Sequence, residues 1–333
     1  MRKWPLLLAA SALAAVGLGQ VPLSGAAAAT PKPVIGLTVP WAIGGPRFER
    51  DGTLADFPGE WPTIAFTSLR LWDTRTAWLN IEPADDAWDF SRLDQFVAKA
   101  ELHGVRDILL VLGGTPRWAA AQVRPADAPW LGPGSASPPR AIEQWAQFVT
   151  KVAERYRGRI TGYEIGNEPN SLTYWSGTPA QWAEQVRVAA QAIHRADPAA
   201  TVIASGFSVR QGSNVQKIEA WLRAMAGVRI DGISIHWYPR AGSDLGLTTA
   251  MIGSIRRAAV AADLPSAIWI TEMNVRGGGS RSAEYQSRAV QGLASAAKAG
   301  GVEHCYWYAW TNLGPADLMV LQPGTPAAIS LGG

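Results

Sequence analysis

The chain has 333 residues, of which 30 are Lys or Arg and 27 are Asp or Glu. This small positive excess comes without a cluster of basic residues, so the chain lacks the electrostatic footprint of a nucleic-acid-binding protein. The single cysteine excludes an internal disulfide, and the four histidines show no paired spacing, so we expect neither a metal nor another cofactor.

The N-terminus has the pattern of an export signal. Arg2 and Lys3 supply positive charge, and residues 6–16 form an apolar run that is too short to span a bilayer. Residues 27–29 are alanines, which offer small side chains to a signal peptidase. We therefore predict that residues 1–29 are a signal peptide and that the mature protein is secreted without stable membrane insertion. A retained membrane anchor is the alternative.

Eight strand-like runs follow along the chain. Most are continuous apolar runs without strict alternation, as expected of strands that are buried on both faces. They occupy residues 34–40, 67–73, 107–113, 160–167, 201–207, 232–238, 267–274 and 304–310.

Helical patterns fill most of the gaps between these strands. Ser91 and Thr178 are expected to cap the N-termini of two helices, and Gly104 to follow the end of the first. The patterns cover residues 91–103, 141–156, 178–197, 214–225, 249–262 and 282–299. Strands that alternate with helices imply right-handed β-α-β units and a parallel sheet. We therefore predict an α/β protein in which residues 30–333 form a single (β/α)8 TIM barrel.

The connection over residues 115–140 is long, and it follows the third strand. Long connections in compact domains are usually functional, so we expect this one to form a wall of a cleft at the barrel mouth. The composition adds 16 Trp against 7 Tyr and 7 Phe. Trp has a broad flat face that suits the C–H patches of sugar rings, although several of the sixteen are expected in the core.

Two of the predicted strands end on a glutamate. Glu168 ends the fourth strand, because Pro169 cannot continue the ladder, and Glu272 ends the seventh. In a barrel both carboxylates would lie at the C-terminal mouth, where such barrels place their chemistry. Two facing carboxylates are the minimum for cleaving a glycosidic bond, and Asn167 can hydrogen-bond a sugar hydroxyl beside them.

Three further polar residues are expected near these glutamates. His236 and Tyr238 share one face of the sixth strand, so both can donate to a carboxylate. Arg70 is a charge inside an apolar strand, and a buried Arg needs a partner. It either serves the site or forms a structural ion pair inside the barrel.

These motifs resemble those of the clan A retaining glycoside hydrolases. The resemblance lies in Asn167-Glu168-Pro169, in His236 and Tyr238, and in Thr271-Glu272. The chain is more closely similar to family 39, and among its members to those that cleave exopolysaccharides or other β-glycosides. That closer similarity is carried by residues 164–170 with Tyr174-Trp175, by residues 70–94 and by residues 115–119.

The resemblance implies that Glu168 is the general acid/base and that Glu272 is the nucleophile of a double displacement on a poly- or oligosaccharide. It also implies a Trp at the end of the eighth strand, Trp307 or Trp310, as the floor of the sugar site. Trp118 and Trp175, in mouth loops, are further candidates for sugar contact. A retaining mechanism requires the two carboxyl groups to lie about 5–5.5 Å apart. The alternatives are a carbohydrate-binding barrel without catalysis and a family 5-like glucanase.

Overall fold

The computed structural model describes residues 34–40, 42–48, 54–57, 59, 61–124, 131–209, 214–240, 246–275 and 283–310. The chain divides into two units, residues 1–31 and 32–333, and every described residue belongs to the second. The predicted signal peptide lies outside the described residues. No described helix is both long and apolar enough to cross a membrane.

Ten strands are assigned within the described residues. They are β1 (Val34–Thr38), β2 (Gly45–Phe48), β3 (Leu54–Phe57), β4 (Ser68–Leu71), β5 (Asp107–Leu112), β6 (Gly162–Ile165), β7 (Thr201–Ser208), β8 (Gly232–Trp237), β9 (Ile268–Met273) and β10 (His304–Trp307). The helices are α1 (Trp78–Ile81), α2 (Ser91–Leu102), α3 (Ile142–Arg155), α4 (Pro179–Ala196), α5 (Asn214–Ala224), α6 (Gly246–Ala261) and α7 (Ala283–Ala299).

Eight of the strands close into one parallel barrel in the order β1-β10-β9-β8-β7-β6-β5-β4. The predicted (β/α)8 barrel is therefore confirmed. Each of the eight predicted runs overlaps one barrel strand, and at least one helix follows each barrel strand from β4 to β9. Between β1 and β4 the described residues contain β2 and β3 and no helix. The main core lies between the barrel and the helices, where Trp78, Trp145 and Phe148 pack their rings together.

The helix ends follow the sequence closely but not in every detail. Thr178 caps α4 through a capping box with Gln181, as its position before Pro179 predicts. Gly104 follows α2 with φ +75°, a conformation that glycine adopts without strain. The prediction for Ser91 is wrong by one position: Ser91 is the first residue of α2, and its N–H donates to the Asp89 carboxylate at 2.9 Å.

The hairpin of β2 and β3 is an addition that the sequence analysis missed. The two strands pair antiparallel outside the barrel, in a stretch where no strand was predicted. The sequence between them contains Asp51-Gly52, a pair that commonly joins two hairpin strands.

Inside the barrel, an apolar cluster lies on the N-terminal side of a polar one. The apolar cluster consists of Leu109, Ile203, Trp269 and Tyr306. Gly162 pairs with Leu109 and Gly232 pairs with Ile203, so both glycines lie level with this cluster. The polar residues Glu164, Ser234 and Thr271 lie two positions beyond Gly162, Gly232 and Trp269, respectively. Parallel strands direct their C-terminal ends to one mouth, so the polar cluster lies nearer that mouth.

Candidate active site

Arg70 is the centre of the polar cluster. It is fully buried, and it donates from Nε to Glu164 Oε2 at 2.8 Å and from Nη1 to Glu272 Oε1 at 2.8 Å. Its Nη2 reaches Asn167 Oδ1 at 3.2 Å. Burial alone would lower the pKa of Arg70, but the attraction of Glu164 and Glu272 outweighs it and holds that pKa above its ordinary value. Arg70 is thus a permanent cation that joins β6, which carries Glu164, to β9, which carries Glu272.

Glu164 is the acidic partner that the sequence analysis did not place in the site. It is 0% exposed, and besides Arg70 it accepts hydrogen bonds from Ser234 Oγ and Thr271 Oγ1, both at 2.6 Å. These contacts from three other strands satisfy a buried carboxylate. A glutamate inside an apolar strand is the same signal that singled out Arg70, and pairing the two would have located it.

Glu168 lies beyond the strand on which it was predicted. β6 ends at Ile165, so the expectation that the strand runs to the glutamate is wrong. Gly166 turns the chain with φ +73°, and Glu168 itself has a left-handed φ of +43°. The Glu168 N–H donates to the Gly206 carbonyl at 3.1 Å, which ties the turn to β7. Such backbone strain in a non-glycine residue clusters at functional sites, where the surrounding structure holds it.

Glu272 is brought into the barrel by a bulge. The register between β8 and β9 shifts so that Ile235 pairs with Ile270 but His236 pairs with Glu272. As a result Thr271 and Glu272, though adjacent in sequence, both contact inward-facing residues: Thr271 bonds Glu164 and Glu272 bonds Arg70. A regular strand would place only one of them inside.

Both oxygens of Glu272 are hydrogen-bonded. Arg70 Nη1 donates to Oε1, and the Tyr238 hydroxyl donates to Oε2 at 2.5 Å, so the hydrogen bond expected between the sixth and seventh strands is present. Burial, followed by the charge of Glu272, raises the pKa of Tyr238 well above its ordinary value. The phenol therefore keeps its proton and remains a donor.

His236 connects the two glutamates. Its Nδ1 lies 3.1 Å from Glu168 Oε1 and 3.4 Å from Glu272 Oε2. Its Nε2 lies 3.4 Å from Arg70 Nη2, and because a guanidinium can only donate, the hydrogen-bond network assigns the ring proton to Nδ1. The Nδ1–H of His236 thus points toward the two carboxylates.

Gly206 makes room for this arrangement. A Cβ at Gly206 would lie 2.7 Å from His236 Nε2 and 3.1 Å from Glu164 Oε1, and its φ is +60°. Any larger residue would push the histidine or the buried carboxylate out of place. Its N–H also donates to Ser234 Oγ at 2.7 Å, which orients the hydroxyl that serves Glu164.

A second polar pair lies at the same mouth. Asp73 follows β4, and its Oδ2 accepts a hydrogen bond of 2.6 Å from the hydroxyl of Tyr308, which follows β10. Both side chains are half-buried. Neither was among the predicted site residues, because Asp73 was read as the last residue of its strand and Tyr308 as part of another.

The structure thus brings together six of the predicted site residues: Arg70, Asn167, Glu168, His236, Tyr238 and Glu272. One carboxylate oxygen of Glu168, one of Glu272 and a ring nitrogen of His236 lie within 4.8 Å of one another. These three groups could also hold a metal ion, but Glu272 already faces the Arg70 cation.

Trp307 does not lie where the resemblance implies. Along β10 the inward residue is Tyr306, whose ring occupies the space that a side chain at Gly36 would need. Trp307 belongs to the core outside the barrel. It cannot floor a sugar site, because the period of two in a strand places it on the other face. The inward position at this strand end is taken by Tyr308. Trp310 is 1% exposed, and its backbone N–H donates to the Thr38 carbonyl; its contact with sugar stays a prediction.

The other two predicted tryptophans pack against further tryptophans, and their contact with sugar stays a prediction. Trp118 packs edge-on against Trp78, and its indole N–H donates to the Glu82 carbonyl. Trp175 is 3% exposed and packs on Trp182.

A small pocket lies beside Asn167. Its walls come from the ends of β5 and β6, from α4 and from the connection predicted as a cleft wall; they include Trp72, Thr115, Leu131, Ser135, Gly166, Tyr174, Trp175, Trp182 and Gln185. A Cβ at Gly166 would lie 2.0 Å from the Trp182 ring, so that ring takes the space a side chain at position 166 would need. Trp130 of the same connection lies outside the described residues.

Comparison with known proteins decides the family. The model of the family described as Cellulase (glycosyl hydrolase family 5) matches residues 76–313, which is more than half of the chain. The chain belongs to glycosyl hydrolase family 5. The predicted membership of clan A is confirmed, and the family named as the alternative is the one whose model matches.

Solved structures share the fold of this family 5 protein at low identity. An intracellular xylanase from Thermoanaerobacterium saccharolyticum aligns with a TM-score of 0.60 and 16% identity, covering 89% of this chain and 94% of the xylanase. A family 39 glycoside hydrolase from Bacteroides cellulosilyticus aligns with a TM-score of 0.59 and 17% identity, covering 90% of this chain and 60% of the other.

A curated relative is more similar in sequence over a shorter range. A β-xylosidase from Caldicellulosiruptor saccharolyticus is 29% identical over 131 residues, which are 35% of this chain and 24% of the relative. The chain thus spans about a quarter of that relative. It likewise covers 53% of a glucosidase from Croceicoccus marinus, which aligns with a TM-score of 0.56, 16% identity and 74% of this chain.

Proposed function

We propose that this family 5 protein is a secreted glycoside hydrolase that cleaves O-glycosidic bonds of a poly- or oligosaccharide with retention of configuration. Glu272 is the nucleophile and Glu168 is the general acid/base. The observation that carries the proposal is the spacing of the two glutamates, whose carboxylate oxygens approach within 4.8 Å. This supports the short separation of retaining enzymes over the 6.5–9.5 Å that an inverting enzyme needs for a water molecule.

The contacts of each glutamate support its role. Glu272 receives hydrogen bonds on both oxygens, from the Arg70 cation and from Tyr238, and this favours an ionised, oriented nucleophile. Glu168 faces His236, which can donate to its ionised carboxylate. An acid/base must exchange its proton twice in each cycle, and this setting suits that exchange.

The reaction follows from these positions. In the first step a Glu272 oxygen bonds to the anomeric carbon, the bond to the leaving oxygen breaks, and Glu168 gives its proton to that oxygen. In the second step Glu168 takes a proton from a water molecule whose oxygen bonds to the anomeric carbon, and Glu272 is released. Asn167, held by Arg70, is placed to hydrogen-bond a sugar hydroxyl.

Chemical rescue tests the two roles. With a dinitrophenyl glycoside, Glu168→Ala should still form the glycosyl-enzyme, because this leaving group needs no proton, and azide should give a glycosyl azide of retained configuration. Glu272→Ala should lose both steps, and azide should restore turnover with an inverted product. An inverted azide product from Glu168→Ala would show that the roles are exchanged.

The exposed Glu303→Ala variant is the matched control, and it should keep full activity. A wild-type protein that binds oligosaccharides but hydrolyses none would instead support the barrel without catalysis. Export is tested separately by the N-terminal sequence of protein recovered outside the cell, which should begin near Thr30.

A further inference from the structure

The Asp73–Tyr308 pair has a geometry that the proposed reaction does not use. Asp73 has a left-handed φ of +57° two positions after the end of β4, and Tyr308 lies one position after the end of β10. Asn274 Nδ2 donates to the Tyr308 carbonyl, which fixes the tyrosine from β9. The 2.6 Å bond between the two side chains therefore spans the mouth above β1, the strand between β4 and β10.

Within the described residues, one oxygen of the Asp73 carboxyl has no hydrogen-bond donor. Tyr308 is the sole hydrogen-bond partner that the described residues offer it, through Oδ2, and this leaves Oδ1 without a donor. The Asp73 side chain is half-buried, so it is not enclosed in the core. Buried or half-buried carboxylate oxygens normally accept hydrogen bonds from protein, water or ligand.

The surroundings of Asp73 identify the ligand chemistry. Asp73 lies within electrostatic range of Glu272, Arg70 and His236, the groups of the candidate active site. The mouth thus carries the carboxyls of Asp73, Glu168 and Glu272, whereas the Arg70 cation is already shared between Glu164 and Glu272. A further anionic group placed here would be repelled, and hydroxyl donors would be favoured.

We infer that Asp73 is a substrate-positioning residue whose Oδ1 accepts a hydroxyl of the sugar bound beside Glu272, and whose charge confines that position to sugars without a carboxylate. This inference rests on the proposed function and names its substrate class as neutral glycosides. Tyr308 positions Asp73 by holding Oδ2.

The ionisation of the pair agrees with this role. Burial raises the pKa of Asp73 to about 6, with the charge of Glu272 adding to the rise and the hydrogen bond from Tyr308 opposing it. Burial and the neighbouring carboxylates of Asp73 and Glu272 raise the pKa of Tyr308 well above its ordinary value. At neutral pH the aspartate is therefore an anionic acceptor and the tyrosine a fixed donor.

The test measures kcat/KM for dinitrophenyl glycosides of neutral hexoses and pentoses in both anomeric forms, and then for the uronide that matches the best of them. Asp73→Ala should lower kcat/KM for the neutral glycoside by about 10–100-fold, the loss expected for a hydrogen bond to a charged group. Asp73→Asn removes the charge but keeps an acceptor, so it should shift the uronide-to-neutral ratio at least about 10-fold toward the uronide.

Asp86→Asn is the matched control. Asp86 also has a left-handed φ, +55°, and also accepts one hydrogen bond from an aromatic side chain, Trp88 Nε1, but it is exposed on the outside of the barrel. The Asp86→Asn variant should leave both kcat/KM and the uronide-to-neutral ratio unchanged. A series of monodeoxy glycosides adds a readout that a structural role would not give: the deoxy sugar lacking the contacted hydroxyl should lose activity in the wild type and lose no more in Asp73→Ala.

The outcomes separate this inference from the proposed function. If the wild type cleaves no glycoside, the proposed function fails and the inference fails with it. If the wild type is active but Asp73→Asn leaves the uronide-to-neutral ratio unchanged, or every deoxy effect is additive with Asp73→Ala, the inference alone is overturned.

Discussion

The interior of the barrel contains two clusters of opposite character, one nearer the N-terminal ends of the strands and one nearer the mouth. The apolar cluster of Leu109, Ile203, Trp269 and Tyr306 fills the N-terminal part, while the mouth side holds charges bound in a network. On β9 the change occurs between Trp269 and Thr271. The two clusters thus lie only about two residues apart on β9, and the groups proposed for chemistry belong to the mouth side alone. Substitutions on the mouth side should change activity or break the buried ion-pair network, whereas those in the apolar cluster should leave activity unchanged.

The largest expected effect is the loss of stability on replacing Glu164. Glu164→Gln removes the charge opposite Arg70 and adds amide hydrogens where two hydroxyls now donate. Breaking a buried ion pair on one side costs about 3–5 kcal/mol, because the remaining charge is uncompensated. Urea unfolding should show this loss, while the exposed Glu303→Gln control stays within about 0.5 kcal/mol. Equal stability of Glu164→Gln and wild type would mean that the network does not hold the mouth together.

Much of this arrangement follows from the sequence. The apolar runs with interspersed helical patterns give the barrel, and a strand that ends near Glu168 or Glu272 puts each carboxylate at the mouth. His236 and Tyr238 follow from the two-residue period of a strand. Arg70 follows from the cost of an unpaired buried charge.

The rest depends on departures from regular geometry that residue types do not reveal. The bulge in β9 turns Thr271 and Glu272 to one side, and the left-handed turn after β6 moves Glu168 beyond its strand. The resemblance implies a Trp at the end of the eighth strand as the floor of the site, but the position of Trp307 in its strand places it outside the barrel. Gly206 was not singled out, because its importance lies in the contact with His236.

The next largest effect is expected on activity, from the tyrosine that donates to Glu272. Tyr238→Phe removes the hydroxyl that donates to Glu272 Oε2 and should lower kcat/KM about 10–100-fold, the range for a hydrogen bond to a charged group. Tyr156→Phe is the matched control, since its hydroxyl bonds the Asp94 carboxylate at 2.8 Å on the outside of the barrel. Steady-state kinetics that show equal losses in both variants would contradict a specific role for Tyr238.

A smaller effect concerns the pH dependence of stability at the mouth. The pKa of Asp73 is raised from 3.8 to about 6 in the folded protein. The folded state therefore holds a proton that the unfolded state releases, and stability should fall as pH rises from about 4 to about 6. The full shift corresponds to about 3 kcal/mol, and partial solvent exposure reduces the expected change to about 1–2 kcal/mol.

Asp73→Asn should remove this fall, which can be followed by urea unfolding at several pH values. The free energy of unfolding of Asp73→Asn relative to wild type should increase between pH 4 and 6 and then level off. Parallel curves for the two proteins across this range would show that Asp73 does not titrate there.

The smallest effect lies in the apolar cluster. Tyr306→Phe removes the hydroxyl that accepts from Ser68 Oγ at 2.8 Å, deep inside the barrel. The Ser68 hydroxyl can then donate to the Asp107 carboxylate instead, so the loss should be about 0.5–1 kcal/mol in urea unfolding. Because the ring itself stays in place against Gly36, the strands above it should not move, and kcat/KM should match the wild type. Tyr306→Phe and Tyr238→Phe delete the same atom from two inward-facing tyrosines, so an equal loss of activity in both would show that the two clusters act as one unit.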